Sequence, residues 1–473
     1  MNRAESDNDN AMHGGKTGRQ VNPIIVLLGI LLLATAMTYL IDSGTYERDG
    51  RLVIPGTYTT IQKDSSPLNL FRIDHGQSQD EVRPVSLAGT ISAIPAGLVR
   101  MAGLIFMVLI IGGMFGIVTH TGAIDAGLEA LLTGVRGNIY ILVPALMVVF
   151  AAGSSFLGLA SEYLLVIPLM VVMAQRLGMS NIIGLAIVTV AVKAGYLSSV
   201  TNPIPLTIAQ PLVGLQIFSG AGVRFAFFVV FLIVGILFVL YMIRREGFAL
   251  AEVEQFESHK LPAGQRLVLL VFATGIAFLV YGSNRWGWQH HELSAYYIFM
   301  SIVLAATARL NASEAAEAFV LGMKKILMAS MLIGVASAVA IVLEQGRILD
   351  SIVHSLTGII GEDNAFFSAV GMFVSQLLLD FLIPSTSGQA AISMPILGPI
   401  GQLSGVEPQT TVLTFLFGNG ITNMLTPTSG TLLAYLATAQ VGWVDWARFI
   451  FRLWLIYIVI AIAMLWIAVS IGF

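Results

Sequence analysis

Residues 381–399 read FLIPSTSGQAAISMPILGP and place a polar interruption between two apolar runs. The centre of this stretch, residues 384–389, combines a proline with hydroxyl, glycine and amide side chains. Proline removes a backbone donor and breaks the helical hydrogen-bond ladder. Irregular backbone at membrane depth is tolerated only where it is buried in protein or lines a water-filled cavity. The stretch therefore predicts a membrane helix that is interrupted at a buried or water-lined position.

The composition indicates the class of protein. Of the 473 residues, 56% are hydrophobic and only 11% are charged, whereas soluble proteins carry about 25% charged residues. The net charge of −3 is close to neutral, and we therefore predict that the protein has no nucleic-acid partner. The absence of cysteine excludes disulfides and thiolate metal sites. We predict an all-α polytopic membrane protein, surrounded by lipid, that has no cofactor and is not an enzyme.

The amino-terminal part changes character twice. Residues 1–22 are polar and predict a disordered cytoplasmic N-terminus. Residues 23–42 form an apolar run without a cleavage site and predict the first transmembrane helix. Residues 43–100 turn polar and mixed in charge, which predicts an extracytoplasmic segment that ends in an interfacial helix near 85–100.

The remainder predicts an internal repeat. Short apolar runs cluster in two blocks, and residues such as those of LTGVRG (132–137) and LTGIIG (356–361) match in order at an offset of about 225 positions. We predict that each repeat contains a re-entrant hairpin followed by a broken transmembrane helix. Repeat 1 spans 101–245, with its hairpin at 139–176 and its broken helix at 181–218; repeat 2 spans 311–473, with its hairpin at 364–403 and its broken helix at 408–440.

Basic residues predict the orientation. By the positive-inside rule, Lys16 and Arg19 favour a cytoplasmic N-terminus, and Arg244 and Arg245 favour a cytoplasmic loop at 246–263. Two linking transmembrane helices at 264–310 then bring repeat 2 into the membrane from the opposite face to repeat 1. The repeats are therefore predicted to be inverted, with an extracytoplasmic C-terminus, in a bacterial-type cytoplasmic (inner) membrane.

Inverted repeats with broken helices are typical of secondary transporters, whose sites lie near the midplane. We call residues 158–162 and 385–389 the first and second tips, and residues 198–205 and 419–430 the first and second breaks. Pro203, Pro384 and Pro427 interrupt the helices. Hydroxyl and amide oxygens suit a hard cation, and helix N-termini suit a carboxylate. The candidate substrate- or ion-binding residues are Ser154, Ser155, Ser161, Glu162, Ser199, Thr201, Asn202, Ser385, Thr386, Ser387, Gly388, Gln389, Asn419, Asn423, Thr426, Thr428 and Ser429.

Charges within membrane segments are functional hypotheses by default. Glu162 aligns with Gln389 and could bind a cationic substrate group, carry a proton or cap a half-helix. Lys193 could bind a substrate carboxylate or be the structural partner of Asp380 or Glu162.

The motifs FLIPSTSGQAAISMPI and FGNGITNMLTPTSGTLLAYL resemble the YfcC-type family of the ion transporter superfamily. That family is related to anaerobic dicarboxylate carriers and to arginine/ornithine-type antiporters, and the resemblance covers nearly the whole chain after residue 20. It implies a homodimer of scaffold and transport domains with an elevator-like movement. Related sodium symporters carry Ser-Asn-Thr at both tips. This chain has Ser161-Glu162 and STSGQ there, so ligands for a sodium ion stay unassigned.

The combined prediction is a secondary active transporter of small carboxylate-bearing organic solutes, a dicarboxylate or related acid, coupled to sodium or protons through alternating access. One alternative is an amino-acid carrier or antiporter, basic amino acids included. A more remote alternative is a channel, which should show a continuous ring of like groups rather than two broken halves.

Overall fold

The computed structural model of the protein describes residues 23–49, 52–73, 82–123, 138–246, 262–358, 360 and 364–473. The predicted disordered N-terminus at 1–22 lies outside the described residues. The repeat motif at 132–137 also lies outside the described residues. Of the predicted cytoplasmic loop at 246–263, only the two ends are described.

The described chain is mostly helical. Its first part contains α1 (Pro23–Leu40), α2 (Leu87–Arg100), α3 (Ala102–His120), α4 (Ile139–Leu157), α5 (Ile167–Arg176), α6 (Asn181–Ser198), α7 (Pro203–Leu212) and α8 (Ala221–Arg245). Its second part contains α9 (Ala263–Trp286), α10 (His290–Thr307), α11 (Ala312–Gln345), α12 (Leu349–Thr357), α13 (Ala365–Leu382), α14 (Thr386–Leu403), α15 (Pro408–Thr422), α16 (Gly430–Ala439) and α17 (Trp443–Ser470). Short 3₁₀ helices occupy Pro67–Phe71 and Ser161–Leu165.

Many of these helices are long and apolar enough to cross a membrane. Among the described residues there are 7 such spans, one of which joins α6 and α7. Together with the low charge of the chain, they confirm the prediction of an α-helical polytopic membrane protein. They are Ala102–His120, Ile139–Leu157, Asn181–Leu212, Ala221–Arg245, Ala312–Gln345, Ala365–Leu382 and Trp443–Ser470. The predicted first span at 23–42 contains the shorter apolar helix Ile24–Leu40.

The polar segment after α1 forms two small antiparallel β pairs. Strand β1 (Ser43–Thr45) pairs with β4 (Thr59–Ile61), and β2 (Arg48–Asp49) pairs with β3 (Leu52–Val53). The segment is tied to α12, because Arg48 Nη2 lies 2.7 Å from Asp350 Oδ1. Burial, followed by the nearby Asp350 carboxylate, raises the pKa of Tyr46 to about 12. The predicted interfacial helix near 85–100 is α2.

Two helices that precede chain interruptions occupy the core. Almost all of α6 from Ile183 to Ser198 is buried, as is the whole of α15 from Thr410 to Thr422. Gly195 lets α6 approach α4 closely, because an added Cβ would lie 2.3 Å from the carbonyl oxygen of Ala151. This contact places the end of α6 against the end of α4, so the first break and the first tip are neighbours.

The interruptions are shorter than the sequence predicts. Helix α6 ends at Ser198 and α7 starts at Pro203, so the unwound part of the first break is residues 199–202. Helix α15 continues to Thr422, so Asn419 is still helical and the unwound part of the second break is residues 423–429. At the second tip, residues 386–389 are the first turn of α14 rather than irregular chain. Proline can occupy the first turn of a helix, which is why Pro203 begins α7 instead of extending the gap.

Candidate functional site

A cavity of about 590 Å³ lies where the two tips and the two breaks meet. Its wall takes Gly158 and Ser161 from the first tip and Asn202 from the first break. The second tip and the second break supply the larger polar share of the wall: Ser385, Thr386, Ser387, Gly388, Asn419, Asn423 and Thr428. Segments separated by about 180 to 270 residues therefore share one polar cavity among apolar helices.

The first tip is held by its own Glu162 and by Tyr435 on α16. The backbone N–H of Ala160 donates to Glu162 Oε2 at 2.9 Å, and the hydroxyl of Tyr435 donates to the Ala160 carbonyl at 2.7 Å. Gly158 has φ of +74°, and an added Cβ would lie 2.8 Å from Asn202 Oδ1. Glycine is therefore required at Gly158 for both its backbone conformation and its space. Glu162 lines an adjoining cavity of about 310 Å³ rather than the main one, whereas His290 lines both.

The first break is tied to α4 and to a buried arginine. The Ser155 hydroxyl accepts from Val200 N at 3.1 Å, and the Thr201 hydroxyl donates to the Phe156 carbonyl at 3.1 Å. Arg224, fully buried on α8, donates from Nε to the Ser199 carbonyl and from Nη2 to the Val200 carbonyl, both at 3.1 Å. The carbonyls freed by the break are thus satisfied by protein.

The second tip presents a capped helix start to the cavity. The Ser385 hydroxyl accepts from Gly388 N at 3.3 Å, which caps α14. Ser385 and Ser387 are exposed to the cavity side, while Thr386 and Gly388 are half-buried. The positive end of the α14 dipole favours an anion here.

The second break receives donors from α17. Trp446 Nε1 donates to the Met424 carbonyl and Trp443 Nε1 to the Leu425 carbonyl, both at 2.9 Å. The Thr428 hydroxyl donates to the Phe381 carbonyl at 2.8 Å and lies 2.7 Å from the Thr426 hydroxyl. Ser429 caps α16 by accepting from Leu432 N at 3.2 Å. The break therefore keeps a fixed shape.

Behind the second tip lies a chain of amide hydrogen bonds. Gln389 Nε2 donates to Gln376 Oε1 at 2.6 Å, and Asn419 Nδ2 donates to Gln389 Oε1 at 2.9 Å. The same Asn419 amide nitrogen is 2.6 Å from Asp380 Oδ1. Gln389 is fully buried and lies outside the cavity wall. Its amide therefore positions Asn419, which does reach the cavity.

Lys193 and Tyr196 connect α6 to the second tip and the second break. Lys193 Nζ donates to Asn423 Oδ1 at 2.8 Å. The Tyr196 hydroxyl lies 3.0 Å from the Thr386 hydroxyl and donates to Asn419 Oδ1. Within the described chain no ion pair closer than 4.0 Å joins Lys193 to Asp380 or Glu162. Lys193 therefore faces the cavity with an amide, not a carboxylate, as its hydrogen-bond partner.

The predicted residues divide into two groups. Those in the wall of the main cavity are Ser154, Ser161, Lys193, Asn202, Pro384, Ser385, Thr386, Ser387, Gly388, Asn419, Asn423 and Thr428. Those that support the wall from outside it are Ser155, Glu162, Ser199, Thr201, Pro203, Asp380, Gln389, Thr426, Pro427 and Ser429. Ser199, for example, donates its hydroxyl to the Tyr196 carbonyl at 2.5 Å and contributes backbone geometry rather than a ligand.

Sequence reasoning missed three kinds of residue at this site. Arg224 lies inside an apolar run, and an intramembrane cation is a signal that could have found it. Gln376 and Tyr196 carry weaker signals, because single polar residues in membrane helices are common. The pair formed by Arg100 and Glu344 also lies in the cavity wall, with nitrogen–oxygen distances of 2.8–2.9 Å, and its two residues are 244 positions apart in the chain.

The arrangement is suited to binding a small polar solute. The wall offers one buried ammonium group, a helix N-terminus and several amide and hydroxyl groups. Among the described residues no cluster of three acidic or histidine side chains that could hold a metal ion is present. Membrane-crossing helices interrupted around a common polar cavity define the class of polytopic membrane transporters.

The chain belongs to the DcuC family of C4-dicarboxylate anaerobic carriers, whose family model matches residues 22–470. The family resemblance read from the motifs is thereby confirmed. A relative from Escherichia coli strain K12, named "Putative basic amino acid antiporter YfcC", is 28% identical over an alignment of 468 positions that covers 90% of this chain and 91% of that protein. An uncharacterized Haemophilus influenzae protein is 24% identical over an alignment of 482 positions that covers 92% of this chain and 94% of that protein.

Two solved structures are also similar. The Alcanivorax borkumensis YdaH transporter matches 96% of this chain and 99% of its own with a TM-score of 0.42 and 16% identity. Neisseria gonorrhoeae MtrF, described as illuminating a class of antimetabolite efflux pumps, matches 95% of each chain with a TM-score of 0.43 and 16% identity.

Proposed function

We propose that this membrane transporter is a secondary active carrier of small organic solutes that bear a carboxylate, a C4-dicarboxylate or a related acid. The observation that supports the substrate class is the position of Lys193 in the wall of the cavity, opposite the capped start of α14. An ammonium group and a helix N-terminus both favour a carboxylate. A volume of about 590 Å³ falls in the range of about 300–1,000 Å³ typical of small-molecule sites.

The proposed mechanism is alternating access. The two hairpins and the two broken helices would form one transport unit from inverted repeats, and an elevator-like movement would expose the cavity to each face in turn. We place this carrier as a homodimer in the bacterial inner membrane, with a cytoplasmic N-terminus and an extracytoplasmic C-terminus. A coupling ion, sodium or proton, would drive net transport through its coupling free energy with the substrate.

A basic amino-acid antiporter is the second candidate, and a specific observation favours it. Glu162 and His290 line the smaller cavity, which shares Gly158, Ser161 and Ile204 with the main one. A solute with both a carboxylate and a distal cation could reach from Lys193 to Glu162. The name of the Escherichia coli relative agrees with this candidate.

Binding and uptake by the purified protein test both candidates. Thermal unfolding would be followed with succinate, butyrate, L-arginine and L-ornithine, each with and without sodium, because a true ligand raises the melting temperature with its concentration. Uptake into proteoliposomes would then be measured for the probes that bind. Stabilisation by succinate or butyrate supports the carboxylate carrier, and stabilisation by the amino acids alone favours the antiporter.

A pair of lysine variants localises the site. Lys193→Met removes the buried ammonium, and we expect affinity for the bound carboxylate to fall about 10- to 100-fold, because a charge-assisted hydrogen bond contributes about 1.5–3 kcal/mol. Lys325→Met changes the exposed Lys325 and serves as the matched control. Equal affinity in the two variants would remove Lys193 from the site.

A further inference from the structure

We infer that Asp380 is a proton-binding site and that one proton binds there for each carboxylate that binds at Lys193. This inference rests on the proposed function for its substrate and adds the identity of the coupling ion. It starts from one orphaned atom: Asp380 is fully buried, and its Oδ2 has no hydrogen-bond partner among the described residues, while Oδ1 accepts from Asn419 Nδ2 at 2.6 Å.

The two oxygens of Asp380 thus lie in different surroundings. A buried carboxylate is stabilised when both oxygens accept hydrogen bonds or meet a cation, and it is strongly destabilised otherwise. Among the described residues only Oδ1 accepts a hydrogen bond. A proton added to Oδ2 forms an O–H bond there without disrupting an existing hydrogen bond. The added proton also cancels the buried negative charge of Asp380. The proton can come from water in the cavity, because Asn419, which donates to Asp380, itself lies in the cavity wall.

The charge balance connects this proton to the substrate. Lys193 on α6 and Asp380 on α13 are buried groups of opposite charge, and together they are neutral. A carboxylate bound at Lys193 adds one negative charge to a desolvated site. Protonation of Asp380 restores neutrality. Each ligand therefore binds more strongly when the other is present, which is the requirement for coupled transport.

Few other titratable groups face Asp380. From α6 these are Lys193 and Tyr196. The neighbouring helices α14 and α15 contain no ionisable side chain. The ionisable residues of α12 and α17 are engaged elsewhere or exposed: Asp350 with Arg48, His354 with Tyr46, Tyr457 with the Phe231 carbonyl, Asp445 in the first turn of α17, and Arg448 and Arg452 on its exposed side.

The surrounding dipoles favour a proton over a metal cation. The nearest polar partner of Asp380 presents an N–H group, Asn419 Nδ2. Asn423 Oδ1 already accepts from Lys193 Nζ and from the Ser429 hydroxyl, and Gln389 Oε1 accepts from Asn419. A sodium ion needs several oxygen ligands that are not turned toward donors. Sodium dependence is therefore an outcome that the test must be able to detect.

Calorimetry with butyrate as the probe counts the protons. Titration in two buffers of different ionisation enthalpy should show uptake of one proton per bound butyrate by the wild-type protein. Affinity should fall about tenfold for each unit of rising pH, because one proton is linked to binding. Asp380→Asn keeps the shape and mimics the protonated form, so it should bind butyrate with no proton uptake and no pH dependence. Asp445→Asn makes the same chemical change outside the cavity wall and should behave as wild type.

A second measurement needs no ligand. Infrared difference spectra between about pH 5 and 8 should contain a carboxylic-acid band that grows as pH falls and is missing in Asp380→Asn. Its absence from the wild type overturns the inference, whether or not a ligand is known.

Butyrate binding without proton uptake, or binding that needs sodium instead, also overturns the inference but leaves the proposed carboxylate carrier unaffected. If no carboxylate binds at any pH, the proposed substrate class fails, and the infrared titration alone decides on Asp380. If Asp380→Asn does not fold, the proton count of the wild-type protein decides.

Discussion

At the first break, the carbonyls of Ser199 and Val200 accept hydrogen bonds from one guanidinium, whereas at the second break those of Met424 and Leu425 accept from two indoles. In both cases the donor comes from the long helix that follows the broken one, α8 or α17. Both breaks need hydrogen-bond donors for their freed carbonyls, because a buried carbonyl without a donor costs free energy in a membrane. The chemistry of the donor is free to vary as long as an N–H group reaches the carbonyl.

The two solutions differ in how much depends on one residue. Arg224 also donates to the Ser219 carbonyl at 2.7 Å and to Gln409 Oε1 at 3.2 Å, so one side chain joins several segments. At the second break two side chains each donate one hydrogen bond: Trp446, which is fully buried, and Trp443, which is half-buried. We therefore expect the first break to be the more sensitive to a single substitution.

The largest effect is expected for Arg224→Leu. It leaves two buried carbonyls without donors, at about 1–3 kcal/mol each, so the free energy of unfolding should fall by about 2–6 kcal/mol. Thermal unfolding of the purified protein and its yield as a single species in size-exclusion chromatography measure this. The control is Arg244→Leu, an exposed residue on the same helix. Equal melting temperatures for the two variants would show that the first break does not depend on Arg224.

An intermediate effect is expected for Trp446→Phe. The substitution keeps an aromatic ring but removes the donor to the Met424 carbonyl, which should lower the free energy of unfolding by about 1–3 kcal/mol. Trp443→Phe is the matched comparison within the same break. Because Trp443 is half-buried, water can replace its donor, and we expect a loss below about 1 kcal/mol. The ranking from thermal unfolding fails if Trp443→Phe is as damaging as Trp446→Phe.

The smallest effect is expected for Ser199→Gly. Ser199 has φ of +41°, a left-handed conformation that costs about 1–2 kcal/mol for a residue with a Cβ. Glycine removes that strain but also loses the hydroxyl bond to the Tyr196 carbonyl, worth about 0.5–1.5 kcal/mol. The melting temperature should change little. Asn423→Gly at the second break is the contrast, because φ is −64° there and glycine relieves nothing. A loss for Ser199→Gly as large as for Asn423→Gly would contradict the strain argument.

Much of the candidate site could be predicted because helix chemistry is local. Ser385, Asn202 and Ser429 cap helices at positions where a polar residue precedes an apolar run. The proline positions marked each interruption for the same reason. The lengths of the breaks were predicted less well. The second break was predicted to begin at Asn419, but Asn419 remains helical and its amide donates to Asp380 and Gln389.

The roles of single polar residues could not be predicted from the sequence. Glu162 and Gln389 align in the predicted repeat, yet Glu162 binds the Ala160 N–H and Gln389 binds Gln376 on α13. The partner in each case is set by which helix packs alongside. Arg224 was missed although its charge was visible, since an arginine near the start of a span is also what a membrane interface contains.

The sequence by itself determined the membrane class, the helical interruptions and the two sets of polar residues around them. Low charge, apolar run length and proline position act locally, so they can be read along the chain. Only the tertiary structure decided that these polar residues converge on one cavity, that Lys193 faces an amide and that one Asp380 oxygen has no hydrogen-bond partner among the described residues. The reason is that each of these contacts depends on the close packing of helices that lie far apart in sequence, where a neighbour is chosen by shape and by hydrogen-bond geometry.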